Sequence, residues 1–158
     1  MKAGGNTTVS DRRSDGPGGK ELQDTITAHA IEKGQRLRDK FGSSWSPELV
    51  EEVLESRAFT RFPCRLIYED AVLERGELAV PILRREAPED GYDLFVHPYF
   101  MNDPDHLPHV VFYQLVVVNY GKLAGPEQAE CFGAAALGMD KDEFYKTLCE
   151  LSDAIWTR

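Results

Sequence analysis

"HVVFYQLVVVNYG", residues 109–121, is the most apolar stretch of the chain, and its reading decides the fold. Its valines and aromatic residues favour a strand. Its punctuation favours a helix. Asp103-Pro104 and Leu107-Pro108 are turn and helix-start signals, and thirteen residues then run unbroken to Gly121, a natural C-terminal stop. The expectation is a helix from Pro108 to about Tyr120, buried at the centre of the domain. A pitch of about 100° per residue puts His109, Tyr113, Val117 and Tyr120 on one side of it. That side is a semi-polar stripe on an otherwise apolar cylinder. General packing rules make such a stripe core, with phenol hydroxyls finding partners at the core's edge.

Upstream of this stretch the period is that of strands. "CRLIYED" (64–70), "ELAVPILR" (77–84) and "YDLFVHPYF" (92–100) are short, rich in β-branched and aromatic residues, and separated by glycine-containing turns. Pro81 inside the second run predicts an edge strand or a bulge. Three such runs in succession predict a small antiparallel or mixed sheet.

Two helices are expected before the strands. Leu22, Ile26, Ala30 (or His29), Lys33 and Leu37 recur at helical spacing, and Gly42 lies near the end of that surface helix. "SPELVEEVLESRAF" opens with Ser46 as N-cap and Pro47 at the first helical position, and Leu49, Val50, Val53 and Leu54 form its apolar stripe. Two more helices are expected after Gly121. "PEQAECFGAAALG" (126–138) is small and closely packable, and "DKDEFYKTLCELSDAIW" (140–156) carries Phe144, Leu148, Leu151 and Ile155 on one side. The order helix, helix, three strands, three helices predicts an α+β domain, a three-stranded sheet packed with about five helices.

"MKAGGNTTVSDRRSDGPGG" has one valine and no aromatic residue, too little apolar surface to offset its ordering entropy. Residues 1–19 are therefore expected to be a flexible tail and residues 20–158 a single domain. The formal net charge of the chain is −9. The first twenty residues carry +2 (Lys2, Arg12, Arg13 and Lys20 against Asp11 and Asp15), which leaves −11 on residues 21–158. A body this acidic repels phosphate backbones, so no nucleic-acid role is expected; a protein or a cation is the expected partner. "ALGMDKDEFYKTL" has the outline of a helix-turn-helix but no basic recognition face. No apolar run reaches the ~20 residues that span a bilayer, and no signal-peptide core is visible. Cys64, Cys131 and Cys149 show no C-x-x-C spacing and read as core thiols of a reducing, cytoplasmic compartment.

Candidate chemistry is sparse. "DPDHLPH" (103–109), with His97 nearby, offers His97, Asp103, Asp105, His106 and His109 as oxygen and nitrogen donors. Zinc needs three or four such donors in tetrahedral array. The simpler expectation for this run is an exposed polar turn whose Asp103 caps the following helix. His29 stands alone on its helix. There is no G-x-S-x-G and no glycine-rich phosphate loop.

"HPYFMNDPDHLPHVVFYQLVVVNYG" followed by "PEQAECFGAAALGMDKDEFYKTL" resembles the short zinc metallopeptidases of the ImmA/IrrE type, which are zincins. In these a small sheet precedes a helix bearing H-E-x-x-H, and a second helix, roughly E-A-N-x-F-A-x-x-L-L-M-P, brings a Glu as third ligand. "QAECFGAAALGM" (128–139) matches the alanine, phenylalanine and Leu-x-Met landmarks of the second pattern, and the resemblance covers about residues 62–150. "YQLVV" (113–117) takes the place of H-E-x-x-H. Tyr113 then falls on the first His ligand, Gln114 on the general-base Glu, Val117 on the second His and Gln128 on the Glu ligand, with Glu127 and Glu130 beside it. A valine has no donor atom for zinc, and a Gln amide cannot take a proton from a metal-bound water. The resemblance therefore implies a zincin-like scaffold with no cofactor and its cleft filled by Tyr113, Val117 and Gln128. The expected function is a non-enzymatic protein-interaction domain, regulatory or structural. The competing reading is a metal-dependent hydrolase with zinc on ligands drawn from His97, Asp103, Asp105, His106 and His109, and Glu127 or Glu130 as base.

Overall fold

The computed structural model describes residues 17–157 and is an α+β domain: five helices and a three-stranded mixed sheet. The expected tail falls mostly outside the described residues. Helix α1, Pro17–Phe41, begins three residues before the tail was expected to end, with Pro17 at a position that its fixed φ suits. Its buried face is Ile26, Ala30, Gly34 and Leu37. Leu22 stays 48% exposed and Lys33 is half-buried, so the expected stripe is narrower than its periodicity suggested. Gly42, at φ 87°, ends α1 by donating to the Arg38 carbonyl at 2.7 Å.

Helix α2, Pro47–Glu55, starts as its sequence predicts. Ser46 Oγ accepts from the Leu49 amide at 3.2 Å, and Val50, Val53 and Leu54 are buried. The chain then turns through a polar knot that the fold closes internally. Thr60 Oγ donates to the Val53 carbonyl at 2.7 Å. Asn119 Nδ2 donates to the Phe59 carbonyl at 2.7 Å, and Asn119 Oδ1 accepts from the Arg61 amide at 2.8 Å. A buried Asn with both ends of its amide bonded costs the core little and fixes where this loop sits.

Strands β1 (Cys64–Tyr68), β2 (Ala79–Leu83) and β3 (Tyr92–Val96) lie in the order β1-β3-β2. β1 runs parallel to the central β3, and β2 pairs antiparallel with it, Pro81 opposite Leu94. Asp93 on β3 ties the three together, accepting from Arg65 of β1 at 3.1 Å and from Arg84, just beyond β2, at 3.0 Å. The position of Pro81 has a simple cause. The His97 amide donates to the Leu78 carbonyl and the Arg84 amide to the Gly91 carbonyl. Antiparallel pairing alternates, so Val80 and Ile82 bond toward β3 while Ala79, Pro81 and Leu83 turn their backbone groups to the free edge. A residue without an N–H costs nothing to the ladder there. The strands are shorter than the sequence runs, because His97-Pro98 breaks the third into a 3-10 turn, Pro98–Met101.

Helix α3, Leu107–Tyr120, is the expected helix, and it is central. Val110, Val111, Phe112, Leu115, Val116, Val118 and Asn119 are all buried. Gly121, at φ 59°, closes it by donating to the Val117 carbonyl. Helices α4 (Pro126–Leu137) and α5 (Lys141–Trp156) follow, joined through Gly138 at φ 67° with Asp140 as N-cap of α5. α4 packs closely on α1: a Cβ on Gly34 would stand 2.6 Å from the Phe132 carbonyl oxygen. Phe144 of α5 fits over Gly133 of α4, where any side chain would overlap its ring. Among the described residues no helix is long and apolar enough to cross a membrane.

Candidate functional site

The semi-polar side of α3 is the side that the fold leaves open. Val110, Tyr113 and Gln114 form one wall of a groove of about 380 Å³. The turn Gly76–Glu77, then Leu78 and the first residue of β2, Ala79, form the second wall. The third is α5, through Tyr145, Leu148, Cys149 and Ser152. These last four fall on one face of a helix, spaced i, i+3, i+4 and i+7, so they follow the groove for about 10 Å.

One end of the groove is fastened shut. Ser152 Oγ donates to the Gly76 carbonyl at 2.7 Å, and Trp156 Nε1 donates to the Glu77 carbonyl at 2.8 Å. The other end opens beside Tyr113 and Tyr145, whose phenols both feel the charge of Glu130 from α4. Burial raises the pKa of the Tyr113 phenol, and the charge of Glu130 raises it further. The pKa of the Tyr145 phenol is raised first by Cys149, one turn along α5, and also by Glu130. Glu130 is itself raised, by burial first and by Glu127 and Asp142, against the opposing pull of Lys141. The Gln114 side chain makes no hydrogen bond among the described residues, so its amide is available to whatever enters the groove. Of the residues lining this space, only Glu77 carries a full charge.

Tyr113 and Gln114 are therefore brought together with the sheet edge. Val117, one turn further along α3, is 40% exposed and does not line the groove. Gln128 is 4% exposed and faces elsewhere: its Oε1 accepts from the Gly125 amide at 2.7 Å and its Nε2 donates to Thr27 Oγ of α1 at 2.9 Å. Of the two carboxylates beside it, Glu130 is half-buried and does not line the groove, and Glu127 lies 3.8 Å from Lys141.

The candidate metal ligands separate into two places. His97, at the end of β3, accepts from the Tyr99 amide through Nδ1 at 3.1 Å, packs edge-on against Trp156, and has Nε2 3.7 Å from Asp70. Asp103, His106 and His109 share one corner at the start of α3, and Asp105 is exposed beside them. Asp103 was expected to cap the helix and does not. The N-cap position is His106, three residues on, and Asp103 Oδ2 instead meets His106 Nδ1 at 2.8 Å. The His106 and His109 rings are 5.2 Å apart, and His109 stacks on Phe144. Burial, and to a lesser degree His106, lowers the His109 pKa to about 4, so its ring is neutral at physiological pH. Among the described residues no group of three or more His, Cys, Asp or Glu is placed to hold a metal ion. His29 is not alone either: its ring hydrogen-bonds the Tyr120 hydroxyl and ties α1 to the end of α3.

The α5 wall is what sequence reasoning missed. Its apolar stripe was legible, but the adjacent face holding Tyr145, Cys149 and Ser152 reads as solvent-facing until α5 is placed against the turn at Gly76. No family model, no curated protein and no solved structure matches this chain.

Proposed function

We propose that this chain is a non-enzymatic protein-interaction domain, regulatory or structural, on a zincin-like scaffold, and that it takes a segment of its protein partner into the groove beside β2. The observation that carries this reading is that Tyr113 and Gln114, both half-buried, open onto a groove midway along a largely buried helix. These two fall on the first His and the general-base Glu of H-E-x-x-H, and neither a phenol nor an amide replaces those groups on a metal-bound water. The groove walls are mostly apolar with a few convergent polar groups, the make-up of a recognition site. The thiols Cys64 and Cys131 are half-buried and Cys149 is exposed, so they are not the core thiols expected, but all three are free and fit a reducing, cytoplasmic setting. The test is affinity capture with the native chain and with Gln114→Trp, matched for fold by circular dichroism and melting temperature. A specific protein retained by the first and lost with the second supports the reading; retention by both overturns it.

A second reading, a zinc-dependent hydrolase, has one observation in its favour: Asp103, His106 and His109 converge at one corner. His97, its fourth proposed ligand, lies against Trp156 and Asp70. Metal analysis separates the two readings. One equivalent of zinc in the purified protein, lost in His106→Ala, would put the hydrolase first. The interaction reading expects no stoichiometric metal and a chelator-insensitive urea midpoint.

A further inference from the structure

We infer that the free edge of β1 takes an added strand: an extended segment of a protein partner with lysine or arginine at alternate positions, its basic side chains turned toward Glu51 and Glu55 of α2. This surface lies at the opposite edge of the sheet from the groove beside β2 and does not depend on that groove being occupied.

The phase of the ladder exposes the edge. The Tyr92 amide donates to the Pro63 carbonyl at 2.8 Å, and β1 runs parallel to β3 with Cys64 opposite Tyr92. That phase turns the backbone groups of Arg65 and Ile67 toward β3 and those of Cys64, Leu66 and Tyr68 outward. Among the described residues no hydrogen bond reaches the outward N–H and C=O groups of these three. The two edges of the sheet are therefore unlike. On β2 the middle outward residue is Pro81, and the carbonyls shortly before that strand, Gly76 and Glu77, are taken by Ser152 and Trp156. β1 contains no proline, and none of its five residues is buried. An edge left in this state is a template for another chain.

The chemistry beside the edge names the occupant. Between α2 and β1 lies a groove of about 170 Å³, lined by Glu51, Leu54, Glu55, Cys64, Arg65 and Leu66. Glu51 and Glu55 are exposed, and neither forms an ion pair among the described residues. Arg65 lines the groove as well, but its guanidinium is held by Asp93 at 3.1 Å. The stems of lysine or arginine would cover Leu66 while their heads reach the two carboxylates. The other face of the added strand would lie beside Ile67, which suits an apolar residue. A second copy of this chain, joined β1 to β1, would instead bring together Glu51 and Glu55 of both copies on bodies of net charge −9. Glu52 is turned about 100° round α2 from Glu51, faces solvent and does not line the groove.

The test uses the full chain, ¹⁵N-labelled, with two end-capped pentapeptides, one alternating lysine with valine and the other glutamate with valine. At saturation the lysine peptide should slow hydrogen exchange of the Cys64, Leu66 and Tyr68 amides at least about tenfold. Arg65 and Ile67, already bonded to β3, should exchange as before. The lysine peptide should bind at least about threefold more tightly than the glutamate peptide. Replacing both carboxylates, Glu51→Gln with Glu55→Gln, should remove that preference, and Glu52→Gln should keep it. The inference is overturned if the lysine peptide does not bind, if protection fails to alternate along β1, or if the preference survives the double change. Protection of the same three amides in the chain alone, rising with its concentration, would also overturn it by assigning the edge to a second copy.

Discussion

His109 lies flat on Phe144, ring centroids 5.7 Å apart and planes 10° from parallel, and Phe144 in turn fills the space over Gly133. The stack joins α3, α5 and α4 at a single point, and it is built on an imidazole that cannot charge without cost. Its Nδ1 is buried with no hydrogen-bond partner among the described residues.

That cost sets a pH dependence. An unfolded imidazole takes up its proton near 6.5, whereas in the fold burial and His106 hold His109 down to about 4. Between these values the unfolded chain binds more protons, so stability contributed by the neutral ring is present above about 6.5 and is lost as pH falls toward 4. Allowing for partial solvent access to the ring, the loss attributable to His109 is about 2 kcal/mol. His109→Phe keeps the stack and removes the titration. Urea unfolding at pH 7.5 and 4.5 should show a smaller acid loss in the variant by about that amount, and equal losses would contradict the account.

Two neighbours on α3 should respond oppositely to truncation. Leu115 is 1% exposed and Val117 is 40% exposed. Leu115→Ala leaves a cavity in packed surroundings and should cost about 2–4 kcal/mol, while Val117→Ala should cost under about 0.5 kcal/mol. Denaturant midpoints measure both. Similar costs at the two sites would mean that the helix is rotated from the orientation described.

Gly34 tests how closely α1 and α4 approach. An alanine in a helix interior normally gains about 1 kcal/mol over glycine. Here its Cβ would stand 2.6 Å from the Phe132 carbonyl oxygen and 2.8 Å from the Ala135 Cβ. Forcing backbones apart costs about 1–3 kcal/mol, so the clash should win and Gly34→Ala should lower the melting temperature. A rise would show that α1 does not lie against α4 as described.

The central helix was legible because its limits are written in local chemistry, prolines before it and Gly121 after it. The same holds for Ser46-Pro47 and for Pro81, whose missing N–H fits only a free edge. Other expectations failed where a residue's partner lies at a distance that periodicity cannot gauge. "YDLFVHPYF" reads as one strand, yet His97-Pro98 folds its second half into a turn. Asp103 carries the right group for a cap, but the helix starts too far downstream for it to reach. For the candidate site, Tyr113 and Gln114 stood out as polar groups in an apolar run. Their companions Tyr145, Cys149 and Ser152 could not, since α5 meets the Gly76–Glu77 turn only in the fold, where Ser152 and Trp156 hydrogen-bond to it.

Site-specific photocrosslinking tests the groove most directly. Tyr145 is 54% exposed, so benzoylphenylalanine in its place puts a reactive ketone at the open end of the groove with room for its second ring, and the same group in place of Glu52, exposed on α2, serves as control. Irradiation in the cells that make the protein should join position 145 to a distinct protein partner. The product should disappear when Gln114→Trp is added, and position 52 should give none. No product from position 145, or one that forms equally from position 52 or persists with Gln114→Trp, would contradict a partner-binding groove.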